Sequence, residues 1–304
     1  MMRWGFLSAV GLSLLGASCS RESERQSAAS AQPTVTATHP TIYQVKGVVI
    51  EVKAAEKTVK IRHEEIPGYM AAMTMPFEVK DANELSELEA GDSVSFRMIV
   101  TDRDAWIDQI RRLGAARDTN LPTAGPFRLV REVEPLKIGD PLPEYHFTNE
   151  LGQAVRLSQF RGKALAITFI YTRCPYPTFC PRTASNFEAT QQQLLSLPNA
   201  ATNWHLLMIS FDPEFDTPSQ LKAFGQRFQY NPNHWSLLTG KLIDLTALAE
   251  QFGLLFWHDG PVVSHNLRTV VVDTRGRVQT ILRENKWKPE ELAAEILKAA
   301  AVKP

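Results

Sequence analysis

The sequence predicts two folded parts, a small all-β barrel followed by a layered α/β domain. Three observations lead there. Residues 41–113 carry five short runs, several of which alternate apolar and polar side chains, the mark of half-buried strands. A break rich in Gly, Pro and polar residues follows at Gly114–Phe127. Beyond it, apolar runs of strand length alternate with stretches of helical period, the grammar of a layered α/β sheet.

The barrel strands are expected at "IYQVKGVVIEV", "KTVKIRH", "MPFEV", "SVSFRMIV" and "AWIDQI", separated by turns at "KAAEK", "IPG" and "EAGDS". Five short strands in about 70 residues are enough for a small closed barrel. In the second part, "ALAITFIYT" and "HLLMISFD" are strands, and "TASNFEATQQQLLSL", "TPSQLKAFGQRF" and "KLIDLTALAEQFG" are helices. "RTVVVDTRGRVQTIL" is a hairpin turning near Thr274–Gly276, and "KPEELAAEILKAAA" is a closing helix opened by Pro289.

The first residues, "MMRWGFLSAVGLSLLGASCS", place one early positive charge, an apolar run and small residues in the order of an export signal. They end in Cys19, the layout of a bacterial lipoprotein signal acylated at that cysteine. Leu15 stands four rather than three residues before it, so ordinary cleavage near residue 20 stays open. Either way the chain is expected outside the cytoplasm, where thiols tend to oxidise. Residues 20–40 have almost no large apolar side chains and read as a flexible tether. The 304 residues carry 33 basic and 33 acidic side chains, so no global field draws the protein to nucleic acid. After the leader, no apolar run approaches the ~18–20 residues a spanning helix needs.

Two of the chain's three cysteines stand in "YTRCPYPTFCPRTASNFEA", on a loop with prolines at 175, 177 and 181. Cys174 and Cys180 come at the end of an apolar strand, immediately before a helix. Strand ends are where open α/β sheets place their chemistry, and a helix amino end favours thiolate. Thiolates exchange disulfides and bind soft ions such as Cu(I). A plain structural disulfide is the bland alternative, but a loop this small gains little from a cross-link. Among the seven histidines, His265 is the one whose expected loop, just ahead of the strand at 268–273, packs beside the cysteine loop in a thioredoxin-like topology. His146, His205, His234 and His258 have no such placement.

The stretch from Lys137 onward resembles the Sco/SenC family, thioredoxin-like proteins that handle copper for cytochrome oxidase assembly. "IGDPLPEYHFTNELGQAVRLSQFRGK", "YTRCP", "ISFDPEFDTP", "WSLLTG" and "VSHNLRTVVVDTRGRV" carry the likeness, in family order. The resemblance implies a copper site made of Cys174, Cys180 and His265, for Cu(I) and, as a further option, Cu(II). The family usually places three residues between its cysteines. Here there are five, "PYPTF". Asp212, Glu214 and Asp216 of "SFDPEFDTP" look like a hard-metal loop in isolation, but in the resembling family they form a structural signature.

A second cluster lies in "RHEEIPGYMAAMTMPF". Met73 and Met75 are one residue apart, so both thioethers leave the same face of an extended segment. Thioether and imidazole donors together select Cu(I) or Ag(I) over hard cations. The alternative is that these methionines only fill a small core. Residues 41–113 resemble the CusF-like copper- and silver-binding domain, a five-stranded barrel of the OB type. By that resemblance His63, Met73 and Met75 are the ligands, and Met70 stands where the family's capping tryptophan is usual.

The expected organisation is a signal at 1–19, a tether at 20–40, a metal-binding barrel at 41–113, a linker at 114–136 and a thioredoxin-like domain at 137–304. The resemblances imply an exported, periplasmic copper chaperone, anchored to the membrane if Cys19 is lipidated. The expected acceptor is a cytochrome c oxidase subunit carrying CuA, or another periplasmic copper protein. Two other functions stay open: a thiol–disulfide oxidoreductase that cycles Cys174 and Cys180, and copper sequestration. No peptidase triad, phosphate loop, nucleotide fingerprint or carboxylate pair stands out, so a metallochaperone rather than an enzyme is the expectation.

Overall fold

The strand runs at 41–113 do close on one another. In the computed structural model, which describes residues 40–70, 72–101, 104–115, 133–197, 201–254, 256–259 and 262–303, they form β1 (Thr41–Lys53), β2 (Thr58–His63), β3 (Met73–Glu78), β4 (Asp92–Val100) and β5 (Ala105–Ala115). All neighbours are antiparallel, in the order β3-β2-β1-β4-β5. An isolated bridge between Val79 and Ile107 joins the two edges, giving a five-stranded, partly open barrel of the OB type. Alternation is the cause. Val45, Val49, Ile61, Met75, Phe77, Val94, Phe96, Met98 and Ile107 point inward and are buried, while most of their sequence neighbours are more exposed.

The second part is a seven-stranded sheet in the order β14-β13-β8-β9-β10-β6-β7. Its centre is β8 (Ala164–Ile170), β9 (Trp204–Ser210) and β10 (Trp235–Thr239), mutually parallel and buried at every residue. Continuous apolar runs are what strands covered on both faces require. Helices α1 (Cys180–Ser196), α2 (Pro218–Arg227), α3 (Leu242–Gln251) and α4 (Pro289–Ala300) complete the thioredoxin-like layer. Helix α1 packs on α4, and α4 on β8 and on β13 (Arg268–Val272). The turn from β13 to β14 (Val278–Arg283) uses Gly276 at φ 77°, a conformation that suits glycine.

Three elements differ from expectation. The hairpin of β6 (His146–Asn149) and β7 (Ala154–Arg156) adds two edge strands; both are too short for periodicity to reveal. A second hairpin pairs β11 (Phe256–Asp259) with β12 (Val262–His265). His265 is therefore the last residue of a strand rather than part of a loop. Helix α1 begins at Cys180, a turn earlier than its apolar pattern suggests, because Pro181 starts a helix well.

The barrel and the α/β part belong to one compact unit. Cys19, the export signal and the tether to residue 39 lie outside the described residues, as does most of the 114–136 linker. Among the described residues no helix is long and apolar enough to cross a membrane.

Candidate functional site

In the barrel, the ligand candidates come from the register of β2 on β3. His63 lies directly opposite Met73, and Ile61 opposite Met75. Because side chains alternate along a strand, His63, Met73 and Met75 share one face, and all are buried, as is Met70 just ahead of β3. Strand β1 crosses close behind the imidazole. Gly47 pairs with His63, and a Cβ at Gly47 would lie 2.5 Å from Ile61 Cγ2 and 2.6 Å from the Arg62 carbonyl. Only glycine permits that approach. His63 Nδ1 donates to the Glu64 carbonyl at 2.7 Å, which leaves Nε2 as the nitrogen carrying the lone pair.

The cysteine loop joins β8 to α1. Cys174 is half-buried, Cys180 fully buried, and both are free thiols. The Cys174 thiol donates to the Tyr176 carbonyl at 3.7 Å, and Cys180, at the first turn of α1, and the Tyr171 hydroxyl are its polar neighbours. Burial alone would raise the Cys174 thiol, and its polar neighbours Cys180, Tyr176 and Tyr171 outweigh that and bring its pKa below the ordinary value. Cys180 moves the other way: burial first, then its role as donor to Cys174, pushes it well up.

The segment around the loop is braced by residues that the sequence marked only as a signature. Asp216, fully buried, accepts from the Thr172 backbone N–H at 3.0 Å and from the Ser210 hydroxyl at 2.5 Å. Asp212 accepts from Arg173 Nε at 2.7 Å. Both acids therefore hold the chain just ahead of Cys174. Asn285 secures the other side, donating to the Thr178 carbonyl at 2.6 Å and the Phe179 carbonyl at 3.2 Å.

His265 repeats the arrangement of His63. Its Nδ1 donates to the Asn266 carbonyl at 2.8 Å, while Nε2 is shut off from solvent with no partner among the described residues. Burial lowers its pKa to about 4, partly offset by the Asn266 bond, so the ring is neutral at ordinary pH. Aromatic rings surround it: Phe211 at 4.8 Å, Tyr171 at 6.0 Å and Phe179 at 6.1 Å between centroids. Tyr171, which also reaches Cys174, packs edge-on against the imidazole. Among the described residues no three His, Cys, Asp or Glu side chains are grouped closely enough to hold an ion. Cys174, Cys180 and His265 are neighbours here, but not a closed chelate.

The cysteine loop is docked on the barrel. Tyr176, between the two cysteines, is 3% exposed and belongs to the barrel's core cluster, edge-on to Phe77 at 6.3 Å. Cys174 and Phe179 pack against the same cluster. The Tyr69 hydroxyl donates to the Pro175 carbonyl at 3.0 Å. Arg182, one turn into α1, reaches Glu78 at 2.6 Å and Asp104 at 2.8 Å. A cavity of about 250 Å³ lies along this junction. Met70, Met73 and Met75 line it from the barrel, and Tyr171, Tyr176 and His265 from the α/β part.

The donor sets suit copper: thioethers with imidazole in one place, thiols near imidazole in the other, and soft ligands select soft ions. His205, by contrast, is a packing residue, bonded to Ser236 at 2.9 Å and tilted against Phe160 at 4.9 Å.

Comparison with known proteins gives the same division. The family model of the copper binding periplasmic protein CusF matches residues 42–112. A SCO1 protein homolog of Bacillus subtilis is 34% identical over 110 residues, 34% of this chain and 53% of that protein. The chain thus spans about half the length of this curated relative. A SCO1/SenC family lipoprotein from Bacillus anthracis is 26% identical, with a TM-score of 0.47 over 53% of this chain and 95% of that one. Bradyrhizobium japonicum ScoI, solved with copper bound, is 24% identical, with a TM-score of 0.44 over 54% and 99%. The SCO1/SenC family model matches residues 137–301, more than half of the 304 and the part that holds both free cysteines and His265, and the chain belongs to the SCO1/SenC family.

Proposed function

We propose that this protein is an exported copper chaperone that holds Cu(I) at two sites and passes it to an acceptor, with the CuA centre of a cytochrome c oxidase as the acceptor that fits the family best. His63, Met73 and Met75 take the ion in the barrel, and Cys174, Cys180 and His265 take it in the α/β part. Copper is the cargo, exchanged between ligands without change of oxidation state. The observation that carries this reading is the placement of the thioethers and the cysteine loop on the two sides of one junction. A thioether needs no deprotonation, so the barrel suits collection of Cu(I) where thiols oxidise. Two thiolates and an imidazole then offer a stronger, charged site downhill. Closing that second site requires the cysteine loop or the β11–β12 hairpin to shift, since the three ligands are not grouped at rest. Export, and lipidation at Cys19, complete the reading.

Anaerobic titration of the reduced protein with Cu(I) tests it. Two ions per chain are expected, one lost in Cys174→Ser and the other in Met73→Leu with Met75→Leu, which keep the buried volume. Uptake of no Cu(I) by the reduced protein overturns the proposal. A second reading, thiol–disulfide exchange, is favoured by the asymmetry of the pair, with the Cys174 thiol lowered and Cys180 raised. It predicts reduction of an acceptor disulfide without metal, undiminished by loss of the methionines.

A further inference from the structure

We infer a third copper site that neither domain contains alone: Met73 and Met75 of the barrel together with His265 of the α/β part, formed across the junction. The inference rests on the copper reading above and specifies the route between its two sites. His265 is placed with the thiols by family resemblance, yet its free nitrogen is not grouped with them here. It lines the cavity that Met70, Met73 and Met75 line from the other side, and β12, which ends in His265, packs against β3, which carries Met73 and Met75. Nδ1 is committed to the Asn266 carbonyl, so the lone pair at Nε2 is available, and that atom is buried with no partner among the described residues.

A buried imidazole nitrogen without a partner is costly unless something binds it. Two thioethers and one imidazole are a soft set that a monovalent d¹⁰ ion accepts. The same imidazole is one aromatic ring, Tyr171, away from Cys174. His265 therefore serves both neighbours in turn: it displaces His63 from the ion while the methionines still hold it, then keeps it as Cys174 and Cys180 displace the thioethers. Each step exchanges one Cu(I)–ligand bond for another, with no electron moved and with thiol protons released to solvent as the sulfurs bind. The docked junction keeps the two ligand sets side by side during the exchange, which free diffusion between tethered domains does not.

The test uses the full chain carrying Cys174→Ala and Cys180→Ala, labelled with ¹⁵N at histidine, and Ag(I) as a redox-inert probe. One equivalent of Ag(I) is expected to shift the Nε2 resonances of both His63 and His265. Met73→Leu with Met75→Leu is expected to abolish the His265 shift, and His265→Ala to weaken Ag(I) binding by about 10-fold or more. A shift at His63 with His265 unmoved overturns the junction site and leaves the barrel site intact. No shift at either histidine overturns the copper reading of the barrel as well. If the double alanine variant fails to fold by circular dichroism, Cys174→Ser alone, which keeps buried Cys180 in place, gives the same readings.

Discussion

On the copper reading proposed above, the barrel and the α/β part solve the same chemical problem with opposite mechanics. In the barrel the donors sit on paired strands, and register alone brings His63 opposite Met73. In the α/β part the thiols sit on a loop and a helix start, and the imidazole on a separate hairpin. Neutral thioethers can be buried and preset at little electrostatic cost, whereas a thiolate must be compensated by dipoles and donors. Cys180 at the start of α1 and the Tyr171 hydroxyl are the polar groups beside Cys174. The preset site suits capture, and the adaptable site suits hand-over.

Losing a thiolate breaks this comparison most sharply. Cys174→Ser should weaken Cu(I) binding in the α/β part by more than ~100-fold, beyond the ~10–100-fold that loss of an outer-shell partner produces. Competition against a Cu(I) chelator measures it. The barrel's own affinity should stay within about 3-fold, and a parallel fall at both sites would mean that they are not separate.

Next in size is the wedge. Tyr176→Ala empties a position in the barrel's core cluster and should cost about 3 kcal/mol, the range for removing a buried aromatic ring. Urea unfolding followed by fluorescence checks it. The stoichiometry of Cu(I) at the dithiol site should be unchanged, which separates packing from ligation. An effect below ~0.5 kcal/mol would show that the loop does not dock on the barrel in solution.

How much of this the sequence disclosed follows from how local each cause is. Strand alternation makes all five barrel strands legible, because period-2 burial is a property of each strand alone, though β5 runs five residues past its expected run, to Ala115. Met73 and Met75 were legible for the same reason. Gly47 inside the run "VKGVV" was a usable signal of close backbone approach, and its role beside His63 went unread. The hairpins β6–β7 and β11–β12 are not legible, their three- and four-residue strands being set by partners elsewhere in the fold. Tyr176 reads as a turn residue between prolines, and nothing near it announces burial in a core that begins over a hundred residues upstream. The two residues that lengthen the cysteine loop looked like a question about metal geometry; the structure places that loop against the barrel.

A buried imidazole outside both sites makes a pH test that copper binding should not feel. Burial holds His205 at a pKa of about 3, and a coulombic push from Lys163 adds to it. Unfolded, the same ring titrates near ~6.5. As pH falls below that value the unfolded chain takes up the proton first. This contribution is therefore fully present above about pH 6.5 and lost toward pH 3, at about 1.4 kcal/mol per pH unit. His205→Gln, which keeps a partner for Ser236, should flatten that acid limb in pH-dependent urea melts while Cu(I) stoichiometry at neutral pH is unchanged. An unaltered slope would show that His205 is not the group responsible.

Arg182 gives the smallest effect and the finest test of the junction. From α1 it reaches Glu78 at the end of β3 and Asp104 just ahead of β5, the two strands whose edges meet at the Val79–Ile107 bridge. One guanidinium therefore clamps the barrel's seam and ties it to the helix that starts at Cys180. Half-exposed ion pairs are worth only ~0–1 kcal/mol each, so Arg182→Ala should lower stability by about 1 kcal/mol. Salt should shrink that difference, since screening lengths fall from ~10 Å at 0.1 M to ~3 Å at 1 M. Arg182→Lys should restore little, because an ammonium cannot reach two carboxylates with the fixed fork of a guanidinium. The larger consequence is kinetic. If the docked junction is the route for copper, loosening it should slow transfer from barrel to dithiol in stopped-flow mixing while leaving both equilibrium affinities unchanged. A transfer rate indifferent to Arg182 would mean that the ion leaves the barrel by way of solvent.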